Sequence, residues 1–167
     1  MYYSTKYFSP IGEMLIVSDG KAINGAWFSS QKNFKSTINE EIVENDDLAI
    51  FKDVKLWLDN YFKGLNPQIN FKIKPAGSEF RITVWKMLME IPYGETLTYG
   101  QIASGISPTM SAQAVGGAVG ANPIAIIIPC HRVVGKNGKM TGYAAGIDKK
   151  IELLKLENIL NGGDGYE

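Results

Sequence analysis

The chain has 167 residues, 45% of them hydrophobic, and its 17 basic side chains balance its 17 acidic ones. That is enough apolar material for one domain or two small ones, and there is no global charge to announce a nucleic-acid or membrane partner. The longest apolar run, residues 124–128, falls far short of the roughly 20 needed for a membrane span. Residues 1–6 lack the apolar core of a secretion signal, and a single cysteine beside a single histidine excludes an internal disulfide and a Cys/His zinc site. These features lead to the expectation of a cytoplasmic protein with no membrane association and no metal.

In chain order, residues 14–17 and 22–28 are apolar runs separated by Ser18-Asp19-Gly20-Lys21, which predicts a hairpin turning at Asp-Gly. Asp47 precedes Leu48, Phe51, Val54, Leu58, Tyr61 and Phe62, spaced at three and four, with Gly64 just beyond; this predicts an amphipathic helix with Asp47 and Gly64 as caps. The alternating Asn70-Phe-Lys-Ile-Lys74 predicts a strand, and the prolines and glycine around it place a domain boundary near residues 75–77. The division is into 1–77, a small sheet with a helix, and 78–167, mainly helical, for an α+β chain.

Beyond the boundary, Phe80, Val84, Trp85, Leu88 and Ile91 mark a helix that stops at Pro92-Tyr93-Gly94. Thr98-Tyr-Gly-Gln101 has capping-box spacing, so a short helix should begin at Tyr99 and break at Pro108. A second helix is expected over 111–121, giving a helix-turn-helix. Its interior holds Gly116, Gly117 and Gly120, each costing about 0.5–1 kcal/mol relative to alanine. Close approach would account for them, either by another part of the protein or by a nucleic-acid backbone, with Gln113 projecting from the small-residue surface.

Between Glu95 and Asp148 there is no Asp or Glu, while Arg132, Lys136 and Lys139 fall inside that stretch. Either a polyanion approaches this face, or a core segment rich in Ile, Gly and Ala simply excludes carboxylates. The lone cysteine and histidine, Cys130 and His131, sit in this same stretch, after Asn122-Pro-Ile-Ala-Ile-Ile-Ile-Pro129. A nucleophilic thiol needs a neighbouring base. Adjacent extended residues point to opposite sides, so the expected link is a bridging water or a sharp turn at Pro129-Cys130. Projected at 100° per residue, Glu157 falls among Leu153, Leu154 and Leu160 on the apolar arc of a last helix. A carboxylate aimed at the core needs a partner, which is either His131, whose tautomer it would fix, or Arg132 or a lysine.

Pro129-Cys130-His131-Arg132-Val133, with Asn122-Pro123 upstream, Ile91-Pro-Tyr-Gly-Glu-Thr96 before it and Thr141-Gly142-Tyr143 after it, resembles the O6-alkylguanine-DNA alkyltransferases. The resemblance covers 78–160 closely and 1–77 more loosely, through Ser9-Pro-Ile-Gly12 and Tyr61-Phe-Lys-Gly64. It implies a ribonuclease-H-like N-terminal domain and a winged-helix-like C-terminal one. It also implies a monomer without a cofactor, whose partner is double-stranded DNA carrying an alkylated guanine or thymine. The helix-turn-helix would enter the minor groove through Tyr99, Gly100, Ala112, Gln113, Ala114 and Gly116, aided by Lys136, and flip the damaged nucleotide out.

By the same resemblance Cys130 is the alkyl acceptor in a single turnover, His131 the base acting through water, and Glu157 its orienting carboxylate. Asn122 braces the cysteine loop, Tyr99 turns out the nucleotide and protonates the leaving base, and Pro129, Val133, Tyr143 and Ala144 line the base pocket. Arg132 is expected to anchor the structure. Two positions depart from the family pattern. Gln113 stands in place of an arginine that fills the space left by the flipped base, which implies weaker DNA binding, and Ala145 replaces a common glycine, which implies a smaller pocket. Three other readings compete: a DNA binder without transfer, a major-groove regulator and a thiol hydrolase. Cys130, the lack of base-reading side chains on the Ala/Gly helix and the single adjacent histidine weigh against them in turn.

Overall fold

A computed structural model describes residues 1–159, so Leu160 of the helical projection lies outside the described residues. The chain forms two compact units, one of Met1–Ala76 with Pro123–Ala125, the other of Gly77–Asn122 with the residues from Ile126 onward.

The first unit is a four-stranded sheet with one helix. Strands β1 (Tyr2–Ser9), β2 (Gly12–Ser18), β3 (Ile23–Phe28) and β4 (Ile42–Glu44) lie in the order β3-β2-β1-β4. β1 and β2, like β2 and β3, pair antiparallel, and β4 runs parallel to the first residues of β1. The predicted hairpin turns as expected: Gly20 has φ 97°, and the Asp19 carboxylate accepts the amides of Lys21 and Ala22 at 2.9 and 3.0 Å. β1 was not foreseen, because Tyr2-Tyr-Ser-Thr-Lys-Tyr-Phe-Ser9 groups its aromatic and polar residues instead of alternating them.

Every residue of β3 is buried, and at Gly25 a Cβ would fall 2.1 Å from the Trp27 ring, so only glycine fits there. The outer edge of β3 is covered by two single parallel bridges, Ile73 against Ile23 and Ile124 against Ala26. Residues 70–74 therefore form no strand, only this one bridge, with Ile23 donating to Lys72 and Lys74 donating back to Ile23 at 2.8 Å each. Covering an edge with isolated bridges blocks pairing with another chain.

Helix α1 (Ala49–Phe62) buries Phe51, Val54, Leu58 and Tyr61 of the expected stripe together with Trp57, while Leu48 and Phe62 are half-buried. Asp47 is not its cap. The N-cap position falls on Leu48, which offers no side-chain acceptor, while the Asp47 amide is taken by Asn45 at 3.0 Å. At the other end Gly64, φ 85°, closes the helix through Gly64 N–H to Tyr61 C=O and Leu65 N–H to Asn60 C=O.

In the second unit α2 (Glu79–Met89) is capped by Ser78 and buries Val84, Trp85 and Leu88. α3 (Tyr99–Ile106) starts with the complete capping box, Thr98 accepting from the Gln101 amide at 3.0 Å and Gln101 accepting from the Thr98 amide at 2.8 Å. α4 (Ala112–Gly120) is capped by Ser111, packs on α3, and is held to α2 by the Trp85 indole, which donates to Ala118 C=O at 2.8 Å. Two short strands, β5 (Leu97–Thr98) and β6 (Val133–Val134), pair in parallel, and α5 (Ile147–Leu156) completes the unit. That pairing fixes the start of α3 beside the residue that follows Arg132. Among the described residues no helix is long and apolar enough to cross a membrane.

Candidate active site

Pro129 has φ −81° and ψ 62°, an inverse γ-turn that Cys130 N–H closes onto Ile128 C=O at 2.8 Å. Cys130–Arg132 then form a single 3₁₀ turn. The sharp turn offered as one of two expected links is present, and the segment is not extended. Just upstream Ile126 sits at φ 70°, a left-handed conformation that costs a β-branched residue of order 1–3 kcal/mol. Its side chain is buried, so packing holds the strained backbone in place.

Asn122 spans this loop. Its amide nitrogen donates to Ile128 C=O at 2.9 Å and to the Cys130 sulfur at 3.2 Å, so one side chain fixes both the γ-turn and the thiol. Burial pushes the Cys130 thiol above its usual range, against the opposing influence of Asn122, the Lys150 ammonium and the Tyr143 hydroxyl. The resting group is thus a protonated thiol, poised beside donors that would receive the charge once the proton leaves.

His131 is fully buried, and its Nε2 lies 2.6 Å from Glu157 Oε2. Glu157 is at the same time the acceptor for Arg132 Nε at 2.8 Å, Arg132 Nη2 at 3.2 Å and the Gly94 amide at 3.1 Å. The two partners weighed for Glu157 are therefore both present. Glu157 is not inside a helix, however: α5 ends at Leu156 and Glu157 is its C-cap, so the helical projection placed the carboxylate correctly for a residue that has already left the helix. Burial holds the His131 imidazole below its usual pKa despite Glu157. Because Glu157 accepts from Arg132 and Gly94 as well, it is the acceptor for His131 too, so the proton of the neutral ring belongs on Nε2, which leaves Nδ1 as the basic nitrogen.

Arg132 also donates to Ile91 C=O at 2.7 Å and lies over the Tyr93 ring at 5.7 Å. It is consumed internally. Of the three cations in the carboxylate-free stretch, only Lys136 and Lys139 are exposed.

Tyr99 opens α3 with its hydroxyl directed inward, donating to Thr141 C=O at 3.3 Å, and burial raises its pKa. It is no surface aromatic. Pro129 and Val133 are buried, Tyr143 and Ala144 half-buried, and the Tyr143 hydroxyl and the Cys130 thiol sense each other's charge, with burial holding Tyr143 far above its usual value. Gly100, Ala112, Gln113 and Ala114 are exposed on the first turns of α3 and α4, and Lys136 stands on a separate surface turn, Lys136–Gly138.

The glycines of α4 are not explained by protein packing. Among the described residues nothing lies within 4 Å of a Cβ built on Gly117 or Gly120, and at Gly116 the Tyr99 ring is at an ordinary 3.7 Å. Of the two causes weighed for them, the protein one fails, and α4 presents a smooth open face from Ala112 to Gly120.

One residue was missed. Lys150 is fully buried, and its ammonium donates to the carbonyls of Val133 at 2.6 Å, Thr141 at 2.8 Å and Gly142 at 3.1 Å. The signal was available, because Lys150 stands three and four residues before Leu153 and Leu154, on the same apolar arc as Glu157.

Comparison with known proteins places these residues in a wider set. A family model described as 6-O-methylguanine DNA methyltransferase, DNA binding domain, matches residues 79–159, and one described as 6-O-methylguanine DNA methyltransferase, ribonuclease-like domain, matches residues 1–75. The methylated-DNA-protein-cysteine methyltransferase of Methanosarcina acetivorans is 46% identical over 157 residues, covering 94% of this chain and 98% of that one. The Haemophilus influenzae protein of the same name is 42% identical, covering 94% and 87%. Among solved structures, Mycobacterium tuberculosis O6-methylguanine methyltransferase is similar at a TM-score of 0.84 and 37% identity, covering 98% of this chain and 97% of that one. Mycobacterium tuberculosis OGT in complex with DNA is similar at 0.82 and 38%, covering 93% and 91%.

Proposed function

From the premise that the chain belongs to the 6-O-methylguanine DNA methyltransferase family, we propose that it repairs duplex DNA by moving the alkyl group from guanine O6, and from thymine O4, to Cys130. The observation that carries this reading is the buried set in which Asn122 holds the Cys130 sulfur while Glu157 holds the neighbouring His131 at 2.6 Å. A thiol that burial keeps protonated needs a fixed base within reach, and His131, with Nδ1 as its basic nitrogen, is that base, working through a water molecule.

The electrons balance without a cofactor. The thiol proton passes to His131, a sulfur lone pair forms the S–C bond, and the C–O6 bond breaks with its electron pair leaving on the base. Tyr99 donates its hydroxyl proton to that base and is reprotonated from solvent. The product is a thioether, a poor leaving group, so each molecule acts once.

DNA reaches the site across the small-residue face of α3 and α4, with Gly100, Ala112, Gln113, Ala114 and Gly116 at the minor groove and Lys136 on the backbone. The absence of bulk at Gly117 and Gly120 supports a close approach. The target base is turned out, since a side chain cannot line up behind the alkyl carbon of a stacked base, and Pro129, Val133, Tyr143 and Ala144 enclose it. The protein acts as a monomer in the cytoplasm, and its division at 77/78 separates a supporting domain from the reactive one.

Mass spectrometry after mixing with an O6-methylguanine duplex tests this. The expected result is one methyl gained on Cys130, absent with unmodified DNA and in Cys130→Ser. Binding of the duplex with no gain in mass would instead identify a DNA binder without transfer.

A further inference from the structure

The mechanism above leaves a buried lysine beside the reactive turn unused. Lys150 has no exposed surface, and among the described residues its ammonium meets no carboxylate. Its three protons are spent on three carbonyls, and those carbonyls come from two different segments. Val133 is the first residue after the turn that carries Cys130. Thr141 and Gly142 immediately precede Tyr143, and Thr141 C=O is also the acceptor for the Tyr99 hydroxyl. A single side chain on α5 therefore ties together the reactive turn, the pocket wall and, through a shared carbonyl, the tyrosine on α3.

Three carbonyls can be bridged by a neutral donor or by water, and a full positive charge withdrawn from water with no counter-ion is a costly way to do it. A carbonyl clamp alone does not call for a charge. What does is a site where negative charge develops. The groups that sense Lys150 are Cys130 and His131 on the reactive turn. Of the other titratable groups there, Tyr99 and Tyr143 are held protonated by burial, and Glu157 is already joined to His131, Arg132 and Gly94. Among the described residues of this pocket, the thiolate that Cys130 becomes on ionising is the anion without an ion-pair partner of its own.

We propose that Lys150 is a positioning residue for the alkyl transfer, clamping the Tyr143 segment to the Cys130 turn and supplying the positive charge toward which the thiolate forms. The inference rests on Cys130 being the alkyl acceptor. Burial lowers the Lys150 pKa to about 8, so the ammonium is still the main form near neutrality and its charge is present when the thiol ionises. Once Cys130 is a thioether it can no longer ionise, so the Lys150 charge has no thiolate left to stabilise.

The test is the pH profile of two reactions, measured from about pH 6 to about pH 10, in the wild type, Lys150→Met, Lys150→Gln and Lys150→Arg. One reaction is methyl transfer from an O6-methylguanine duplex; the other is modification of Cys130 by iodoacetamide, which needs no DNA. Met and Gln remove the charge, Gln keeping N–H donors for the carbonyls, and Arg keeps the charge with a different shape.

The expected result is an upward shift of the thiol midpoint by about one pH unit or more in both neutral variants, with transfer at neutral pH about tenfold slower or worse. Lys150→Arg is expected to restore the midpoint in the iodoacetamide reaction even where transfer stays slow. A wild-type midpoint in either folded neutral variant would overturn the proposal, as would an Arg variant that folds when both neutral ones do not, which would assign Lys150 to the fold alone. A wild type that reacts with iodoacetamide yet takes no methyl from DNA would overturn the transfer reading, while the iodoacetamide series would still decide the role of Lys150.

Discussion

At the scale of single residues, hydrogen bonds within one turn decide where each helix begins. Thr98 and Gln101 form the capping box their spacing announces, because both partners lie within one helical turn. Asp47 misled for the same local reason: an acceptor before an apolar stripe looks like a cap, yet the helix starts one residue later and the cap position falls on Leu48. The place of Lys150 on the apolar arc of α5 signals its burial, but its acceptors, Val133, Thr141 and Gly142, are set by the fold and not by spacing. On the face proposed to meet DNA, Gln113 is the residue whose identity is expected to matter most. It is exposed at the first turn of α4, where an arginine would add a charge and a planar group to stack. Gln113→Arg is expected to tighten duplex binding by about 1–3 kcal/mol and to steepen the salt dependence by about one ion. Titrations at several salt concentrations check this, and equal affinity with an unchanged slope would remove Gln113 from the interface.

The elements show how far periodicity carries. α1, α2, α3 and α4 all lie close to where apolar spacing puts them, since a helix buries one stripe and its hydrogen bonds are internal. Strand content was harder. β1 has no apolar face to announce it, and residues 70–74 alternate like a strand while contributing only one bridge, because strand pairing depends on what lies opposite. The glycines of α4 raise a question that an element-scale experiment settles. Leucine at an exposed helical position is favoured over glycine, and nothing approaches Gly117 within 4 Å among the described residues. Gly117→Leu is therefore expected to stabilise the protein by about 0.5–1 kcal/mol, seen as a higher urea midpoint, while weakening duplex binding at least tenfold. Loss of stability would mean that a protein contact shaped the glycine; unchanged binding would mean that DNA did not.

For the molecule as a whole, the buried site imposes a pH dependence on stability. His131 in the folded state stays neutral below its ordinary pKa of 6.5, whereas in the unfolded chain it protonates there. The unfolded state binds more protons in that window, so stability falls as the pH drops below about 6.5. At the alkaline end Cys130 acts in the opposite sense: its raised pKa means the unfolded thiol ionises first, near 9.0, and stability falls as the pH rises past that value. Lys150, lowered from 10.5 to about 8, works against this loss between those values. Urea midpoints are expected to decline from pH 7 toward pH 5.5, with a shallower decline in His131→Gln. An identical acid slope in that variant would locate the titration elsewhere.

The bridge of Ile124 onto Ala26 also has a consequence for how the protein is made. The outer edge of β3 receives Pro123–Ala125 through Ala26 N–H to Pro123 C=O and Ala125 N–H to Ala26 C=O, 2.8 Å each. Those residues leave the ribosome long after β3 itself, so the amino-terminal sheet cannot be finished when its own stretch of chain has been synthesised. It waits with one edge incomplete for a segment encoded just ahead of the cysteine. The last piece of the amino-terminal unit and the Cys130 turn arrive together, and a nascent chain halted before residue 123 holds neither.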